Sequence, residues 1–164
     1  MFKITYSLQF PDIASRLAQK KINIKSLLKK EVAVGFFSGE KTKKAPNKEA
    51  GQSISSIAKK NEFGVPIKNI PSRPFMQVTM NRYYRYMKVY MVALARLTVK
   101  GELTSRETFE KIGNLYHIAI KQSIMDNIPP PNSPITIAMK RSSRTLIDTG
   151  QMLLSVKYKI RRIK

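Results

Sequence analysis

Within PSRPFMQVTMNRYYRYMKVYMVALARLTVK, residues 71–100, the side chains Met76, Met80, Tyr83, Met87, Tyr90, Leu94 and Leu97 recur at spacings of four and three. That period predicts one long amphipathic helix, around which the rest of the chain has to pack. Ser72 is placed to cap its start, Pro74 stands near the first turn, where a missing N–H costs nothing, and Gly101 follows Lys100 as a stop. Arg82, Arg85, Lys88 and Arg96 project away from the stripe. The helix therefore has a cationic face for a partner. Its apolar face serves either the domain core or a helix seam between subunits.

Lys and Arg number 31 against 10 Asp and Glu, a formal net charge of +21 on 164 residues. Solubility needs far less, so the balance points to polyanions or acidic protein surfaces as partners. Nucleic acid rewards such charge without any reading of its sequence, because each neutralised phosphate releases counterions. A membrane is the weakest partner, since no apolar run approaches the roughly 20 residues needed to span one. The opening MFKITYSLQF lacks the long apolar region of a leader peptide, and none is expected. With no Cys, the chain has no disulfide, thiol nucleophile or thiolate metal site, which fits maturation in a reducing cytosol. A length of 164 residues suits a single domain, 1–164, with a real core.

The remaining elements follow from local pattern. Ile4, Tyr6, Leu8 and Phe10 alternate with polar residues as a strand that Pro11 ends, and residues 12–30 read as helical from Asp12, with a break near Asn23. Glu31 to Phe37, EVAVGFF, is a second strand, whose Gly35 marks a bulge or a close neighbour. Residues 39–52, GEKTKKAPNKEAGQ, lack periodicity and form a flexible basic loop, either a solvated tip or an arm that tracks phosphates. Ser53 starts a short helix that Gly64 ends, and Pro66 and Pro71 hold the next residues extended or turned.

Beyond the central helix, Thr104 and Glu107 make a capping box. Phe109, Ile112, Tyr116, Ala119, Ile120 and Ile124 form a second stripe, predicting an antiparallel helix pair. Pro129, Pro130 and Pro131 stop that helix, and Ser133 with Pro134 starts another. Asp148 with Gln151 is expected to cap a further turn of helix. Ser155 to Ile163 alternates as a last strand, cationic on its outer face. The expected fold class is α+β, a small antiparallel sheet packed against a long central helix and a second long helix.

No constellation for catalysis stands out. The single His117 has no nucleophile motif beside it, and Glu107 and Glu110 lie among Arg106 and Lys111, as on a solvated helix face. Nucleotide-binding glycine loops and zinc ligands are both missing from the sequence. No enzyme activity, cofactor or metal is expected. Tyr83, Tyr84, Tyr86 and Tyr90 interleave with Arg82, Arg85 and Lys88 in the manner of a stacking platform, but Tyr83 and Tyr90 lie on the core stripe.

Three separated segments carry a resemblance. They are Ser56-Ile57-Ala58-Lys59-Lys60-Asn61-Glu62-Phe63-Gly64, then Ile70-Pro71-Ser72-Arg73-Pro74-Phe75 opening the long helix, then Leu146-Ile147-Asp148-Thr149-Gly150-Gln151-Met152. In this order they resemble the neck and tail-completion proteins of long-tailed double-stranded DNA bacteriophages, and residues 130–140 look like that family's approach to the last segment. The resemblance runs from about Ser53 to the last residue and implies a structural virion protein of the neck or tail. Such a protein, made in the host bacterial cytoplasm, would work in head-tail joining or tail completion. It would be a subunit of an oligomeric ring around the DNA channel. Implied partners are head-closure and tail-terminator proteins, other copies of the chain, and double-stranded DNA contacted non-specifically. The alternative is a free nucleic-acid-binding protein acting in phage packaging or regulation.

The motif residues are structural in type. Gly64 and Gly150 supply backbone freedom, Pro71 and Pro74 set the entry of the helix ahead of Phe75, and Asp148 is a cap. Arg73 is expected to pair with a carboxylate such as Glu62, next to Phe63, or to reach a neighbouring subunit. Contacts to DNA or an acidic partner are assigned to Lys41, Lys43, Lys44, Lys140, Arg141 and Arg144.

Overall fold

The computed structural model describes residues 21–43 and 51–163. The strand expected over 3–10, the first half of the helix expected over 12–30, and Lys44 lie outside the described residues. In chain order the elements are α1 (Lys21–Leu28), β1 (Lys30–Gly35), α2 (Ile54–Phe63), a 3-10 turn (Pro66–Lys68), α3 (Phe75–Lys100), α4 (Ser105–Met125), α5 (Pro134–Lys140), α6 (Gln151–Leu154) and β2 (Lys157–Arg162). The fold is α+β, with a two-stranded antiparallel sheet and two long helices. β1 starts one residue before the expected strand and stops at Gly35, so Phe36 and Phe37 leave the ladder.

The described residues form two compact units. The first takes its residues from Gly35–Arg82 and Ile118–Lys157, the second from 21–34, Tyr83–His117 and 158–163. In the first unit α2 packs on α6, and Phe36 meets Phe75 edge to face with ring centroids 5.9 Å apart. Phe75 is fully buried, which stabilises by about 1.5–3 kcal/mol. The close neighbour of Gly35 is the Met76 methyl, which a Cβ would meet at 3.3 Å.

In the second unit the sheet lies on α4, and Gly113 shows how closely. A Cβ there would come within 2.5 Å of Tyr158 Cδ2 and 3.0 Å of Val32 Cγ2, one side chain from each strand. In an open helix Gly→Ala gains about 1 kcal/mol. Here the ring would have to move from its root, because Tyr158 Cγ is also only 2.7 Å away, and overpacking of this kind costs about 1–3 kcal/mol. Gly113→Ala is therefore expected to lose about 1 kcal/mol net, lowering Tm by roughly 2–4 °C in a thermal melt followed by circular dichroism.

Both predicted stripes face inward. Met76, Met87 and Leu94 are buried, with Met80, Tyr83, Tyr90 and Leu97 half-buried, and all six residues of the second stripe are buried. α3 and α4 meet in each unit: Arg82 pairs with Asp126 in the first, and Thr98 hydrogen-bonds Thr108 in the second. The capping box forms as expected. Thr104 N donates to Glu107 Oε2 at 2.8 Å and Glu107 N to Thr104 Oγ1 at 3.2 Å, which holds the Glu107 carboxyl below its ordinary value. Ser53 caps α2, and Ser133 caps α5 with Pro134 in its first turn. Arg82, Arg85, Lys88 and Arg96 are exposed, as are Tyr84 and Tyr86.

Candidate functional site

α3 does not begin as expected. Ser72 Oγ donates backwards to Glu62 O at 2.7 Å, and Arg73 N donates to Asn61 O at 2.7 Å, so both satisfy the last carbonyls of α2. The first N–H groups of α3 take a carboxylate from α2 instead. Met76 N donates to Glu62 Oε2 at 2.9 Å and Gln77 N to Glu62 Oε1 at 3.1 Å. The C-terminus of one helix and the N-terminus of the next thus satisfy each other. Between them Val65 and Ile70 bridge across the 3-10 turn, and Gly64, at φ +72°, lets the chain reverse. Pro71 is exposed on this return, whereas Pro74 is half-buried and its carbonyl accepts from Val78 N. Phe63, expected among the motif residues, is 61% exposed.

Glu62 is buried and does not pair with Arg73 in the expected way, because its two oxygens are spent on α3. Burial raises its carboxyl from the ordinary value, against two backbone hydrogen bonds that lower it. Arg73, only 6% exposed, turns to the proline-rich loop. Its Nε donates to Pro130 O at 2.9 Å and its Nη2 to Pro131 O at 3.3 Å and Asn132 Oδ1 at 3.2 Å. All three acceptors are neutral, and burial lowers the guanidinium from its ordinary value. Asn132 continues the chain of contacts, its Nδ2 donating to Arg144 O at 2.9 Å, and Asn127 Oδ1 accepts from Thr145 N at 2.7 Å. These two asparagines hold the segment that leads into Leu146-Ile147-Asp148-Thr149-Gly150.

Asp148 is exposed and is not the N-cap of α6. The N-cap of α6 is Gly150, at φ +72° and without a side-chain bond. Gln151 instead reaches across the fold. Its Oε1 accepts from Lys43 N at 2.6 Å and its Nε2 donates to Lys43 O at 3.2 Å, a strand-like pairing that ties α6 to the edge of the basic loop. The described flanks of that loop pair antiparallel, Lys41 bridging Ser53 and Thr42 N donating to Gln52 O at 2.8 Å.

These contacts enclose a cavity of about 540 Å³ inside the first unit. Asn61, Arg73, Asn132, Leu146, Asp148 and Met152 all stand on its lining, so residues from 56–64, 70–75 and 146–152 meet here although they are far apart in sequence. Of the six assigned contact residues, Lys43 and Lys140 also line it. Lys140 is half-buried and its Nζ donates to Arg144 O at 2.8 Å and Thr145 O at 3.3 Å, so it also closes the turn after α5. Lys41, Arg141 and Arg144 are exposed, and Arg141 stands in the left-handed region at φ +52° as the C-cap of α5.

The chain matches no family model, no curated protein and no solved structure.

A second cavity, of about 400 Å³, lies in the second unit among Lys30, Arg106, Glu110, Tyr158, Arg161 and Arg162. Arg106 is ion-paired to Glu110 at 2.8 Å, and Lys30 Nζ donates to Ser105 Oγ at 2.6 Å. The alternation of β2 foretold a cationic outer face, but not that Lys30 and Arg106 would join it. His117 lies half-buried on α4 with its ring edge-on to Tyr158 at 6.4 Å. Among the described residues no cluster of three or more His, Cys, Asp or Glu could hold a metal ion, and no helix is long and apolar enough to cross a membrane.

Proposed function

We propose that this chain is a structural protein of a phage virion that joins or completes the neck and tail, acting by binding rather than catalysis. It would work as a subunit of a ring around the DNA path, beside head-closure and tail-terminator proteins. One observation carries this reading. The three segments that resemble the neck and tail-completion family come together around one cavity, and there they cap helices and clamp loops. Residues chosen for architecture, on a chain with a net charge of +21, suit an assembly part beside DNA or acidic rings.

Electron microscopy of lysates from a phage with this coding sequence disrupted tests the proposal. DNA-filled heads beside unattached or defective tails are expected. Complete particles in normal number would overturn it. The cationic cavity of the second unit favours one other reading, a free nucleic-acid-binding protein. That protein would bind duplex DNA in isolation with an affinity falling steeply as salt rises, a slope set by the number of phosphates neutralised.

A further inference from the structure

Arg73 is a buried cation whose charge no carboxylate of the described residues balances. Its Nε and Nη2 are spent on three neutral oxygens, and its Nη1 donates to no described residue. Removing a guanidinium from water without a counter-charge is costly, and the cost is offset when an anion arrives. The cavity that Arg73 lines offers room for one. Lys43 adds a second positive charge, and Ile54, Ile57, Leu146 and Met152 supply an apolar wall. About 540 Å³ falls within the usual size of a ligand site and holds two or three side chains of a peptide.

We propose that this cavity docks an acidic segment of a partner protein. Arg73 Nη1 takes a carboxylate, and the wall of Ile54, Ile57, Leu146 and Met152 takes a neighbouring apolar side chain. The proposal goes beyond the joining role and does not rest on it. Nucleic acid fits the site less well, because a duplex backbone cannot reach a side chain that is 6% exposed, and a phosphate would leave the apolar wall of Ile54, Ile57, Leu146 and Met152 without a partner. A second copy of this chain also fits poorly, since it carries 10 acidic residues against 31 basic ones. With Nε and Nη2 engaged, Nη1 is left to make a charge-assisted hydrogen bond to a carboxylate, and the apolar wall beside it favours an anion carried on a peptide.

The test is a titration of the full-length, 15N-labelled protein with an acetyl- and amide-capped peptide, Leu-Asp-Leu-Glu-Leu, followed by NMR. Saturable shifts are expected at the amides of Asn61, Asn132, Leu146 and Met152, half-complete on the order of 1 mM peptide. The uncharged analogue Leu-Asn-Leu-Gln-Leu is expected to bind about tenfold more weakly, as is the acidic peptide to Arg73→Gln. If Arg73→Gln loses its fold by circular dichroism, Lys43→Gln serves instead, with a weakening of roughly threefold, because its side chain is exposed. No saturable shift up to about 10 mM would overturn the proposal, as would equal binding of the two peptides or no effect of the substitution. Shifts of the same amides with sodium phosphate or a duplex of about 20 base pairs, but not with the peptide, would overturn it in favour of a phosphate site.

Discussion

Gly64→Ala is expected to be the most damaging conservative change in the first unit, at about 4 kcal/mol, a fall in Tm of roughly 8–16 °C. Two independent effects add. At φ +72° and ψ 175° the residue lies in a region that glycine alone occupies without strain, and a side chain there costs about 1–3 kcal/mol. A Cβ would also sit 2.7 Å from Ser72 N and 2.9 Å from Ile70 O, and both are backbone atoms of the segment returning from the turn. No rotamer change relieves such contacts, whereas the clash at Gly113 meets side chains. The displaced segment carries Ser72 and Arg73, so their bonds to the end of α2 should weaken as well. Thermal and urea unfolding of the variant would measure the loss, and a change below 1 kcal/mol would refute the assigned turn.

The second large effect is expected at Glu62. Glu62→Ala leaves Met76 N and Gln77 N without their acceptor and empties a buried position, which together cost about 3 kcal/mol. Its size should depend on pH, with a definite sign. Burial is the dominant influence on this carboxyl and raises it above its ordinary 4.5, so between the unfolded and folded values the native state holds more protons than the unfolded one. The stability contributed by Glu62 is therefore fully present below pH 4.5 and declines as pH rises through the folded value. Alanine does not titrate. The gap between wild type and Glu62→Ala in urea midpoints should thus be larger near pH 4 than near pH 7, and a gap that widens with pH would show that the two capping bonds outweigh burial.

Glu107 shows why the two carboxylates differ. Both cap a helix, but Glu107 is exposed and bonded to Thr104 within its own turn, so its carboxyl is lowered where that of Glu62 is raised. The capping box of Thr104 and Glu107 is legible in the sequence because donor and acceptor are three residues apart. The reciprocal join of α2 and α3 is not, because Glu62 meets Met76 and Gln77 at separations of 14 and 15. Ser72 looks like a cap from its spacing, yet packing brings the Glu62 carbonyl to it first.

Periodicity and short-range hydrogen bonding thus determined α2 to α5, their caps at Ser53, Thr104 and Ser133, and the stop at Gly64. They also determined the inward faces of both long helices, since each of these needs only residues within about four positions. Tertiary structure alone decided that Arg73 holds a loop 57 to 59 residues away rather than Glu62, and that Gln151 pairs with Lys43 across 108 residues. It also decided that Asp148 leaves the capping of α6 to Gly150. A buried polar group takes whichever partner the packing delivers within hydrogen-bond reach, and no local pattern encodes that choice.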